Sequence, residues 1–273
     1  MIRLYRKLFN HGERLLIGKD FGNIWKNNTM RSIIILLPLI FAVLIPAAFL
    51  IVICVTSDPV AVMFIRGDIA EILPDYYVYT AKQQQFIFFE DYVSTILYLV
   101  IPTIISSLTT ILLFVGEREN ETIGTLLTSL NAKSILKAKL TCSFINSMVM
   151  SVVSFFAVFI LNSIGNLLLS IPFFFNLEEW ILILFLLTPV LILLSSFFTL
   201  LLTHNNDNII HSISICGYIG APLTLWFIGQ FSGIFSISYV SYLILSFFII
   251  LFDIAVYKFK LKNIDDAFLI GTN

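Results

Sequence analysis

Charge is scarce in this sequence. Asp, Glu, Lys and Arg make up 12% of its 273 residues, about half the share in soluble domains. So little charge beside 59% hydrophobic residues excludes a disordered chain and an ordinary soluble enzyme. The net charge of −1 leaves no global basic field, so nucleic acid is not an expected partner. Cysteine is also rare. Cys54, Cys142 and Cys216 sit in apolar runs with neither metal-ligand nor disulfide spacing. They read as small buried side chains, not as a disulfide scaffold. Two catalytic signatures are missing. No GxxxxGK[ST] phosphate loop is present, so the chain is not expected to hydrolyse ATP by itself, and there is no HExxH zinc site. Glu178–Glu179 is followed by no arginine at the spacing that intramembrane glutamyl proteases use. No catalytic or metal-binding residue is therefore assigned.

What is present is apolar bulk, including 27 Phe, more than one soluble core of this size could hide. Six runs reach the roughly 20 residues needed to cross a bilayer: 32–55, 93–115, 140–163, 180–203, 209–228 and 235–257. A spanning backbone must satisfy its own hydrogen bonds, so the expectation is an all-α integral membrane protein with six transmembrane helices. None of the runs has an internal Lys or Arg, and Asp253 is their only acid. Asp253 lies near the end of its run beside Lys258 and reads as structural. The first run begins only at Ser32 and lacks a small-residue cleavage pattern, so it is expected to remain as an anchor.

The basic residues set the orientation. Seven precede the first run (Arg3, Arg6, Lys7, Arg14, Lys19, Lys26, Arg31) and four lie between the second and third (Arg118, Lys133, Lys137, Lys139). Three follow the last (Lys258, Lys260, Lys262), leaving only Arg66 and Lys82 between the first and second. This partition predicts both termini on the cytoplasmic side. Tyr92, Trp180, Trp226 and Tyr239 fall at the expected outer ends and Tyr257 at an inner end, as an aromatic belt requires. Three regions follow: a cytoplasmic N-terminus with an interfacial helix (1–31), the membrane domain (32–257) and a cytoplasmic tail (258–273). The outer loop, 56–92, is apolar enough to suggest short helices capping the outer end.

Two cytoplasmic segments are amphipathic. Residues 13–31 put Ile17, Phe21, Ile24 and Trp25 on one face, with Lys19, Asp20 and Lys26 elsewhere, as in a helix lying in the membrane interface. In the loop 116–139, Ile123, Leu126, Leu127 and Leu130 recur at helical spacing. Glu117, Glu119 and Glu121 open this segment and lysines close it, as one helix dipole prefers. Such an apolar stripe wants a surface to bury against, either bilayer or protein.

The runs hold few other polar side chains. Thr103, Ser106, Ser107 and Thr110 share one face, as do Ser143, Ser147, Ser151 and Ser154. Close helix packing is the favoured reading; the alternative is a substrate path that includes Thr103, Ser106, Thr110, Ser147 and Ser151. Pro38, Pro46, Pro102, Pro189 and Pro222 lie inside runs, where membrane helices tolerate them. His204, His211 and Asp207 read as a polar helix end rather than a metal or proton site. With no charge at mid-bilayer, ion-coupled transport is disfavoured, so any work has to be driven from outside the chain.

The string GERENETIGTLLTSLNAKSILKAK at 116–139 resembles the signature of type-2 ABC transporter permeases. The matching positions are Glu117, Arg118, Glu119, Thr122, Leu126, Leu127, Ser129 and Lys139. Leu130 stands where that family usually has Pro, and Gly124 where Glu is common. KDFGNIWKNNTMRS at 19–32 is similar to the family's elbow helix. The resemblance implies a six-span exporter subunit of a bacterial cytoplasmic membrane, with both ends inside. It implies pairing with a second permease chain and with cytosolic ATPase subunits, which bind ATP and Mg. The loop would be the coupling helix, with Glu117, Arg118, Glu119, Thr122, Leu126, Leu127 and Lys139 at the contact. A hydrophobic or amphipathic peptide, lipid or drug would suit the apolar, hydroxyl-bearing spans. The rival readings are an intramembrane enzyme such as a protease, and a membrane scaffold without transport.

Overall fold

The computed structural model describes residues 9–55, 78–171, 176–206, 208–214, 217, 218, 220, 222, 225, 239–262 and 264–271. All regular structure among them is helical. Helix α1, His11–Lys26, turns at Asn27 into α2, which runs from Asn28 to Val55. Asn27 ends the first helix in an extended conformation and caps the second, its side chain accepting from the Met30 N–H at 3.2 Å. Helix α3, Ala81–Glu119, and helix α5, Ala132–Leu168, flank the short α4, Ile123–Leu127. Helices α6, Leu177–Leu202, and α7, Tyr239–Leu261, follow, and α8, Asp266–Ile270, closes the described chain.

Five of these helices (α2, α3, α5, α6 and α7) are long and apolar enough to cross a membrane. Residues 215, 216, 219, 221, 223, 224 and 226–228 of the run 209–228 lie outside the described residues, as do Asp207 and the outer-loop residues 56–77, so the expectations for Cys216 and Trp226 fall there too. The chain is built as a multi-pass membrane protein, and α5 shows this most directly. Its buried face carries Ser143, Asn146, Ser147, Ser151, Ser154, Asn162 and Asn166. Its exposed face carries Ile145, Val149, Val153, Phe156, Ile160 and Ile164. A helix in water has the opposite arrangement; small polar side chains inside and aliphatics outside suit a hydrocarbon solvent.

Helix α3 begins twelve residues earlier than the apolar run at 93 suggests. Its start is a capping box: Gln83 Oε1 accepts the Thr80 N–H at 2.8 Å, and Thr80 Oγ1 accepts the Gln83 N–H at 3.5 Å. Residues 81–92, expected in the outer loop, thus extend the second long helix. Its 39 residues make a rod of about 58 Å, well beyond a hydrocarbon core of about 30 Å. Glu90 is buried in that extension, about 40 Å of helix away from Gly116.

Widened π turns interrupt the spanning helices at Leu39–Leu44 and Ile183–Leu187. Pro46 and Pro189 follow them closely. Each proline lacks an N–H for, and crowds, the carbonyl four residues back. Those carbonyls belong to Ala42 and Phe185, inside the two π turns, so the ladder shifts register there. Trp180, in the first turn of α6, is buried, with its ring 5.5 Å from Tyr98 and 6.1 Å from Phe155. Asp253 is also buried, and among the described residues no ion pair links it to Lys258.

Candidate functional site

The charged residues between α3 and α5 do not form one amphipathic helix. Glu117 and Glu119 are the last turn of α3, and Glu121 takes a left-handed backbone (φ 55°) in the bend that follows. Lys133, Lys137 and Lys139 lie in the first turns of α5. The helix dipoles therefore run against these charges, with acids at a C-terminus and lysines at an N-terminus. Pairing between helices offsets this.

Lys139 is completely buried at the centre of that pairing. Its Nζ lies 2.6 Å from Glu117 Oε2 and 3.6 Å from Asp20 Oδ2, and it donates to the Leu113 carbonyl at 2.7 Å. The Phe114 ring covers it at 5.6 Å. Lys19 closes the other side, 3.2 Å from Glu117 Oε1. One turn away, Lys137 sits 3.6 Å from Glu13 and over the Phe9 ring at 4.6 Å. A lone buried ammonium would be prohibitively costly, but two carboxylates and a carbonyl satisfy this one.

Asp20 and Glu13 come from α1, whose buried stripe is Glu13, Leu16, Ile17, Asp20 and Ile24. Asp20, expected away from the apolar face, instead faces α5, and Phe21, expected on that face, is exposed. Burial pushes the Asp20 carboxyl above its ordinary value; Lys139 opposes this and Glu117 adds to it. Helix α1 is thus fastened at once to the ends of α3 and α5.

Arg118 points the other way and is buried. Its Nη1 donates to the carbonyls of Thr203 (3.0 Å), His204 and Asn206 (3.3 Å), which satisfies the open end of α6. Glu119 Oε2 accepts the Ile209 N–H at 3.3 Å. Both residues bond the neighbouring turn of the same chain, and Glu119 remains exposed. His204 stacks on Phe268 at 5.2 Å, as befits a polar helix end.

The apolar stripe of the loop also finds its cover within the chain. Ile123 is buried, and Leu126, Leu127 and Leu130 pack on the same core. Leu130 lies so close to Gly12 that a Cβ there would approach its Cδ2 to 2.7 Å. What the loop presents outward is small and polar: Glu121, Thr122, Gly124, Thr125, Thr128 and Ser129. Of the seven loop residues singled out from the sequence, only Glu119 and Thr122 are exposed.

The hydroxyl-bearing faces of α3, α5 and α6 meet each other. Thr103, Ser106, Thr110, Ser147 and Ser151 are all buried. Ser106 bonds Ser195, Thr110 lies 3.1 Å from Ser143, and Ser151 donates to the Ser147 carbonyl at 2.7 Å. Thr103 donates to the Val100 carbonyl at 2.8 Å. Ser106 and Thr110 thus bond side chains of neighbouring helices, while Thr103 and Ser151 bond carbonyls of their own helices. No protein-family model, curated protein or solved structure matches this chain.

Proposed function

We propose that the chain is the transmembrane permease subunit of an ATP-driven exporter, with six spans and both ends in the cytoplasm. Cytosolic ATPase subunits would bind ATP and Mg, and a second permease chain would complete the transporter. The observation that carries this reading is the ionic anchor around Lys139. It fastens α1, α3 and α5 together directly behind a loop whose outer face is small, polar and open. A push on that loop would move the ends of two spanning helices and the interfacial helix as one body. Such a handle suits a chain that has no phosphate loop of its own. Coupling requires the ATPase to touch the loop differently in its two states. With the hydroxyl-bearing faces turned inward within one chain, the substrate path is expected between two chains. Their outward faces are apolar, which favours a hydrophobic or amphipathic substrate.

Gly124 provides the test. It is exposed, and a Cβ there meets nothing within 4 Å. Gly124→Arg is therefore expected to leave insertion and thermal stability unchanged. It should abolish co-purification with a co-expressed cytosolic ATPase partner and stimulation of that partner's ATP hydrolysis by substrate. Wild-type association and stimulation in that variant would sink the coupling role of the loop.

A further inference from the structure

At the lysine-rich end of the bundle a groove of about 480 Å³ opens between α5, α6 and the last turn of α7. Its polarity changes along its length. Lys133 and Lys137 on α5 and Lys262 after α7 line one part of it. Further along α5 the lining turns apolar with Leu140 and Phe144, joined by Leu193 and Phe197 of α6 and Tyr257 of α7. On α5 the stripe Lys133, Lys137, Leu140, Phe144 follows helical spacing, and about 16 Å of helix separates its ends. That is the distance over which one leaflet passes from headgroup to chains. Lys133 and Lys262 are exposed and have no ion-pair partner among the described residues. Lys137 is held by Glu13 at 3.6 Å. No acid lines the groove itself, although Asp265 and Asp266 line a neighbouring cleft that shares Lys133.

We propose that this groove is a binding site for one anionic phospholipid of the adjoining leaflet, its phosphate between Lys133 and Lys262 and an acyl chain along Phe144 and Phe197. The charge order fits a phosphate near the membrane surface, the aliphatic and aromatic wall fits a chain, and Tyr257 occupies the interfacial depth that tyrosines favour. A zwitterionic lipid would leave the lysines without a net counter-charge. The site depends on the chain being a membrane protein and not on its transport role, so its fate is independent of the ATPase test above.

The experiment is titration of the purified full chain, in nonionic detergent, with dioleoyl phosphatidylglycerol or dioleoyl phosphatidylcholine, read by native mass spectrometry. Phosphatidylglycerol is expected to bind at one saturable position and phosphatidylcholine to bind far more weakly. K133Q/K262Q should weaken phosphatidylglycerol by about thirtyfold, since each lysine contributes about a factor of five. K133R/K262R should keep the affinity, and so should K258Q/K260Q, which removes two exposed lysines that do not line the groove. Phe144→Ser, which keeps every lysine, should also weaken the lipid. Unchanged binding in K133Q/K262Q overturns the proposal. An equal loss in K258Q/K260Q overturns it too, because a diffuse surface field would then explain the effect. Competition by glycerol 3-phosphate as strong as by the lipid would mean a bare anion site, and overturns it likewise.

Discussion

Lys139 and Asp20 share one buried cluster but carry unequal weight. Lys139 sits within hydrogen-bonding distance of Glu117 and the Leu113 carbonyl, whereas Asp20 is a more distant partner at 3.6 Å. Lys139→Met would take the shared cation from buried Asp20 and from Glu117, which keeps only Lys19, so a loss of about 3–5 kcal/mol is expected. Asp20→Asn removes the less well paired carboxylate and should change stability by less than about 1 kcal/mol. Thermal midpoints in one detergent rank the two, and an equal loss would contradict the assignment. A pH dependence follows as well. The folded Asp20 carboxyl titrates above the unfolded value of 3.8. Between the two values the native state holds a proton that the unfolded chain has released. The contribution of this group therefore falls as pH rises through that window, and levels off above the folded value. Asp20→Asn should flatten that part of the midpoint–pH curve. Little of this was legible in the sequence. Asp20 lies among lysines in a segment that reads as amphipathic with either face inward, and its partner is more than a hundred positions away.

At the level of single elements, the apolar runs located the spanning helices but not their ends. Hydropathy measures what a helix touches in the membrane, and helices continue beyond it for as long as backbone capping allows. The start of α3 could have been found from Thr80 and Gln83, which have capping-box spacing. The opposite end could not. The reading of 117–139 as one helix followed a sound dipole rule, but charge pairing across three helices outweighs a dipole term of about 0.3–1 kcal/mol. Arg118 shows the same override, since it serves the end of α6 rather than its own helix. Arg118→Met should therefore loosen the 203–209 turn, costing about 2–3 kcal/mol for carbonyls left without a charged donor. Hydrogen exchange is expected to rise at 199–206 more than along α4. Faster exchange confined to α4 would assign Arg118 to the loop instead.

For the whole molecule, the distribution of charge and the inverted polarity of α5 agree on a membrane protein. The proposed orientation gives a direct expectation. Val78 is exposed before α3, and Ser129 is exposed in the loop after it. In a background without the three native cysteines, Val78→Cys should react with an impermeant maleimide on intact cells. Ser129→Cys should react only after permeabilisation. Labelling of both from one side would mean that α3 does not cross the membrane. The sequence by itself determined the solvent of this protein: length and hydropathy are local properties, and a bilayer reads them one segment at a time. Only the tertiary structure decided which charges meet. Whether Asp20, Glu117 and Lys139 form an anchor, and whether Lys133 and Lys262 flank one groove, depends on three or more helices arriving together. Distances of a few ångströms between segments far apart in the chain set those energies, and no local pattern encodes them.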